Sequence, residues 1–251
     1  AALATAVRRA LRARGSGFPP WLALARSTHH SADTASVCAW TLQAHAVPLT
    51  SVALSADSAL LATACSAGRV CAWDLPAGVL RAELSHMQAE SIACVAVSSA
   101  GDFVGIGDAA GCIKVWAVPR SAKPCLNQGG AVGALEAKFG AQAHQGRVQV
   151  LALLPVEGLV VSGGADGAVK VWRLATSAVL RVLAGHEGGV HAMQLLPASE
   201  SSYARRAHAV RSEATAAGSG AHVLTCGEDK QLRYWNISNG RCAMTFAGHA
   251  V

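Results

Sequence analysis

Residues 138–174 read KFGAQAHQGRVQVLALLPVEGLVVSGGADGAVKVWRL. After His144 comes an apolar, alternating run, VLALLPVEGLVVSG, broken by Pro155 and Gly158. Asp166-Gly167 then reads as a hairpin turn, and GAVKVWRL carries the chain on to Trp172. A period of two, punctuated by small turn residues, predicts short antiparallel strands rather than helix.

The unit recurs. Five of the ten histidines, at 45, 86, 144, 186 and 249, hold the same place in it. The first four are followed by SVALSADSALLATA, ACVAVSSAGDFVGI, VLALLPVEGLVVSG, or AMQLLP joined later by AHVLTC. Each pattern closes on a tryptophan, in GRVCAWDL, GCIKVWAV, GAVKVWRL and QLRYWNI. Repeats of this kind cannot bury their apolar faces alone and so predict stacked sheets. VCAWTLQAHAV at 37–47 and RCAMTFAGHAV at 241–251 then read as one phrase, an outermost strand running into a histidine loop.

With histidine, strand pair and tryptophan in four registers, the chain resembles the WD-repeat β-propeller family. Trp73-Asp74 carries the name dipeptide, while the other units read Trp116-Ala117, Trp172-Arg173 and Trp235-Asn236. The resemblance implies an all-β propeller of four-stranded antiparallel blades, with four complete repeats and partial blades at both ends of the chain. It implies a share of a seven-bladed or larger ring. The expected division is a basic, possibly helical flank at 1–20 and a propeller at 21–251. The latter comprises a partial blade at 21–42, repeats at about 43–85, 86–142, 143–184 and 185–247, and the start of a further blade at 248–251.

The same resemblance implies a structural tetrad of loop histidine, strand hydroxyl, turn aspartate and indole. His144, Ser162, Asp166 and Trp172 match it, as do His186, Thr225, Asp229 and Trp235. The first repeat keeps His45, Thr63 and Trp73 but has Ala67 for the acid. The second keeps His86 and Trp116, with Ile106 and Ala110 at the other places. Asp166→Ala is therefore expected to cost more stability than Asp108→Ala.

Composition agrees with a folded chain. Hydrophobic residues make up 52% and charged ones 14%, a balance unlike that of disordered segments. The net charge of +6 owes much to Arg8, Arg9, Arg12 and Arg14 in an acid-free start, which also resembles a mitochondrial presequence. Beyond them the chain is almost neutral. No apolar run is long enough for a membrane helix. The eight cysteines form no CxxC pair and mostly fall in strand-like runs, so free thiols and a cytoplasmic location are expected. Asn236-Ile237-Ser238 is then an idle sequon.

Two insertions extend the repeat. PRSAKPCLNQGGAVG at 119–133 falls between third and fourth strands, and ASESSYARRAHAVRSEATAAGSG at 198–220 between first and second.

Motifs for catalysis are weak. Gly105-Ile106-Gly107 with Gly111 lacks dinucleotide-loop spacing, and VSGGADG lacks the phosphate-loop ending. His29, His30 and Asp33 lack a second ligand pair. Ser162, His144 and Asp166 form a triad on paper, but the resemblance gives the hydroxyl to the tetrad. No enzyme activity, metal or cofactor is expected.

Binding remains. By the resemblance, partners use the rim where each first strand begins, here Thr50, Arg147, Gln149 and His191, with Glu228 beside them. The favoured function is a noncatalytic scaffold holding peptide segments or neighbouring subunits in a larger protein or complex. The alternative is an RNA-associated assembly factor using Arg8–Arg14 and Arg205, Arg206 and Arg211 as phosphate contacts. Few aromatic residues are free for base stacking.

Overall fold

The computed structural model describes residues 42–85, 91–118, 137–196 and 221–247. They form sixteen strands in four antiparallel sheets, each of four consecutive strands, with no helix among the described residues. The first blade holds β1 (Leu49–Leu54), β2 (Leu60–Cys65), β3 (Arg69–Asp74) and β4 (Val79–Ser85). The second holds β5 (Ile92–Val97), β6 (Phe103–Asp108), β7 (Cys112–Ala117) and β8 (Ala137–Gln142). The third holds β9 (Val148–Leu154), β10 (Leu159–Gly164), β11 (Val169–Arg173) and β12 (Val179–Leu183). The fourth holds β13 (Val190–Leu196), β14 (His222–Gly227), β15 (Gln231–Asn236) and β16 (Cys242–Ala247).

Expectations for 1–20, for the partial blade at 21–42 in all but its last residue, for the loop at His86 and for 248–251 lie outside the described residues. So do the two insertions, whose flanks are β7 and β8 for one and β13 and β14 for the other.

Blades meet through their flat apolar faces. Ala62, Ala64, Val70 and Leu84 of the first blade pack on Val104, Ile106 and Trp116 of the second. Ile113, Val115 and Phe139 of the second meet Val160 and Trp172 of the third. Val161, Val169, Val171 and Leu183 of the third meet Val223 and Trp235 of the fourth. In each seam the tryptophan leans on the preceding blade. Phe139 meets Trp172 edge-on at 5.9 Å between ring centres, the favoured aromatic geometry.

The first strands lie side by side, β1 beside β5, β5 beside β9 and β9 beside β13. They line an open hollow of about 280 Å³, bordered by Leu54, Val97, Leu153 and Leu195 among others. The far face of the fourth blade is less covered. Phe246 and Leu183 hold equivalent positions against β15 and β11, yet Phe246 is 48% exposed and Leu183 fully buried.

The turn between second and third strands is the tightest constraint. Gly68, Gly111 and Gly167 all take positive φ there, which suits a residue with no Cβ. A side chain at Gly167 would also press to 2.8 Å from the Gly188 carbonyl oxygen. The fourth blade puts Lys230 at this place, also at positive φ.

Candidate functional site

The turn sits against a histidine loop because the polar groups of both need partners in a dry seam. In the third blade the Trp172 indole N–H donates to Ser162 Oγ at 3.0 Å, and that hydroxyl donates to His144 Nε2 at 2.8 Å. His144 Nδ1–H then donates to Asp166 at 2.9 Å, a tautomer fixed by the network itself. Asp166 also accepts the backbone N–H groups of Gln145 and Ala168. Burial lowers the His144 pKa, against the pull of Asp166. Burial alone would raise the Asp166 carboxyl, but the His144 hydrogen bond and the two N–H donors hold it below its ordinary range.

The fourth blade repeats this arrangement. Trp235 Nε1–H donates to Thr225 Oγ1 at 2.8 Å, Thr225 meets His186 Nε2 at 2.8 Å, and His186 Nδ1 meets Asp229 at 2.9 Å. In the first blade His45, Thr63 and Trp73 join in the same way, at 2.9 and 3.0 Å. With Ala67 at the acid's place, His45 Nδ1 is buried without a partner.

The second blade departs from the pattern in a way that bears on Asp108. Its carboxylate is completely buried and accepts the Cys112 N–H at 2.7 Å. Removing it orphans a buried donor, so Asp108 is a structural group of the turn.

These histidines, hydroxyls and acids are committed to one another. Ser162 is fully buried, so it presents no nucleophile to solvent. Among the described residues no group of three His, Cys, Asp or Glu is set to hold a metal; His29, His30 and Asp33 lie outside them.

A cationic member of the network escaped the sequence reading. Lys170, two residues before Trp172, donates to the carbonyl oxygen of Ala143, the residue before His144, at 2.5 Å. Arg69 reaches the corresponding Ala44 carbonyl at 2.5 Å while pairing with Glu83 at 2.6 and 2.8 Å. Arg233 flanks Gly185, the residue before His186, and lies 3.6 Å from Asp229. The signal was a basic residue two places before the indole, at 114, 170 and 233.

Above the tetrads lies the rim. Gln149 on β9 and Glu228 at the end of β14 both approach Gly189, and His191 Nε2 stands 3.8 Å from Glu228 Oε1. His191 and Glu228 are about half exposed, at 54% and 56% of their side-chain surface. Gln149 Oε1 is buried with no hydrogen-bond partner. Arg147 is exposed at the start of the same strand. Thr50 belongs to a different blade, and its hydroxyl donates to the Ala64 carbonyl at 3.3 Å.

The repeat has counterparts elsewhere. The protein-family model described as WD domain, G-beta repeat matches residues 36–74 and 136–173. Two stretches of this chain are thus similar to the WD40 repeat. Nuclear distribution protein nudF of Aspergillus niger is 29% identical over 90 residues, which span 36% of this chain and 20% of that protein. Among solved structures, the RRP9 WD40 repeats superpose with a TM-score of 0.60 at 20% identity, covering 83% of this chain and 53% of that one. U3-55K gives 0.58 at 20% identity, covering 83% and 54%. The computationally designed Ika4 protein gives 0.55 at 22% identity, covering 78% and 96%. These likenesses show the WD40 propeller fold. This chain spans about half the length of the first two structures.

Proposed function

We propose that this WD40 chain is a noncatalytic interaction scaffold that holds peptide segments or neighbouring subunits on the rim of its third and fourth blades. One observation carries the reading. Gln149, His191 and Glu228 converge from two blades, and Gln149 Oε1 is an acceptor with its hydrogen bond unmade. A partner's N–H that meets this amide as its side chain turns outward satisfies an acceptor whose isolation costs about 1–3 kcal/mol. Arg147 and Glu228 add one charge of each sign, suited to a mixed-charge peptide. The rest of the machinery is structural, which fits a role in binding rather than turnover.

A cytoplasmic setting belongs to the same proposal. Among the described residues no two cysteines are joined by a disulfide, as a reducing compartment favours, and burial pushes the Cys71 and Cys94 thiols up to about 11 and about 12. No helix among the described residues is long and apolar enough to cross a membrane. The residues that the RNA-associated alternative would use lie outside the described ones.

Affinity capture from lysate, quantified for parent and for Arg147→Ala combined with His191→Ala, tests the rim. Weakened capture with an unchanged melting temperature is expected. An identical set of captured chains in equal amount removes the rim from the proposal.

A further inference from the structure

At the opposite end of the same seam lies a second concave surface. β10 begins, and β11 and β15 end, on the side away from the histidine loops. There the third and fourth blades leave a cleft of about 410 Å³. Leu159, Val171 and Ile237 form its apolar walls, and Arg173, Arg181 and Ser238 its polar ones.

Its charge follows from one change in the repeat. The residue after the indole is Asp74 in the first blade, where it accepts the Ala77 N–H at 3.0 Å and pairs with Arg81 at 2.6 Å. Asn236 does comparable work in the fourth blade, accepting the N–H groups of Ser238 and Asn239. Arg173 cannot accept a hydrogen bond, so the third blade exchanges a turn acceptor for an exposed guanidinium. Arg69, Arg81 and Arg233 each face a carboxylate. Arg173 has no such partner among the described residues, and Arg181 bonds only the carbonyl of its neighbour Leu180, at 2.7 Å.

We propose that this cleft binds an acidic peptide segment, with the Arg173 and Arg181 guanidiniums taking carboxylates and the apolar walls taking a neighbouring aliphatic side chain. Arginine's planar fork matches a carboxylate with two parallel hydrogen bonds. Peptide is favoured over RNA because no aromatic ring is among the described residues that line the cleft, and sequence-tolerant RNA binding relies on stacking. Glu157, the one acid among the described lining residues, is exposed. It opposes the ligand's charge and so weakens binding.

Fluorescence anisotropy on the full chain tests this, with a labelled peptide of glutamates around a leucine, its glutamine counterpart, and an oligouridylate of similar length. The glutamate peptide is expected to bind, more weakly in high salt. Joint Arg173→Glu and Arg181→Glu replacement should weaken it by about tenfold or more, the loss of two charge-assisted contacts. Glu157→Gln should tighten it. Equal binding of the glutamine peptide, stronger binding of the oligouridylate, or indifference to the arginine changes overturns the proposal. Loss caused by Arg147→Ala and His191→Ala, with none from the cleft variants, also overturns it by moving the peptide to the rim. If the doubly reversed chain does not fold, Glu157→Gln decides alone, and absence of tightening overturns the proposal.

Discussion

His45 and His144 stand at the same place in the first and third blades, and both bond a strand hydroxyl that also receives an indole N–H. They differ one bond further out. His144 passes its second nitrogen to Asp166, whereas His45 Nδ1 faces Ala67's turn and finds nothing. In both blades a cation also grips the backbone beside the histidine, Lys170 on the Ala143 carbonyl and Arg69 on the Ala44 carbonyl, and only Arg69 is itself held by an acid, Glu83. Loop position can thus be secured through the ring of the histidine or through the backbone beside it. Only the first route satisfies the buried imidazole.

The comparison can be broken hardest at the shared hydroxyl. Ser162→Ala orphans His144 Nε2 and the Trp172 indole together, and about 2–4 kcal/mol should vanish from the urea-unfolding free energy. A loss no larger than that of a surface change would mean that the network does not hold the seam. Next comes the acid. Asp166→Ala should cost about 1–3 kcal/mol by freeing His144 Nδ1–H and two turn N–H groups. Asp108→Ala should also destabilise, by leaving the Cys112 N–H without its acceptor, and less. Equal melting shifts for the two would shift the weight from the histidine to the turn.

Running the comparison backwards gives a smaller effect of opposite sign. Ala67→Asp supplies the missing acceptor for His45, and a gain of about 0.5–1.5 kcal/mol is expected, the net worth of one hydrogen bond. A variant that melts below the parent would show that Arg69 and Glu83 have closed that space.

Acid sharpens the same contrast. Unfolded, His144 titrates near its ordinary 6.5; folded, burial holds it lower. Above that value both states are neutral and nothing is lost. Below it the unfolded chain takes the proton first, so stability falls with pH until the folded value is reached. Asp166, held below its ordinary 3.8 when folded, yields its share only in stronger acid. The melting temperature should drop between about pH 7 and about pH 5, and His144→Gln should flatten the drop. An unchanged slope in that variant would exclude His144 as a source.

Much of this was legible because the repeat prints the same requirement four times. Alternation around Ser162 and Thr225, with an indole ten residues on in each case, fixed strands, turn and network together. Ala67 announced its missing bond in advance. Long side chains were harder to read, since Lys170 and Arg69 serve one carbonyl type from different strand positions and only their reach reveals it. Arg173 looked like drift from a dipeptide. Its meaning needed Arg181, which the sheet brings beside it through the pairing of β11 with β12. Asp108, expected only to matter less than Asp166, is made structural by burial, which spacing does not report.

The tryptophans of the second, third and fourth blades all lean on the blade before them. During synthesis each new blade can therefore seal its indole, imidazole and hydroxyl against a neighbour that has already emerged from the ribosome. What waits, uncovered, for the next stretch of chain is the apolar side, Phe139 included in the second blade. Assembly then proceeds as a ratchet running from amino to carboxyl end, with polar groups satisfied first and greasy ones left briefly exposed.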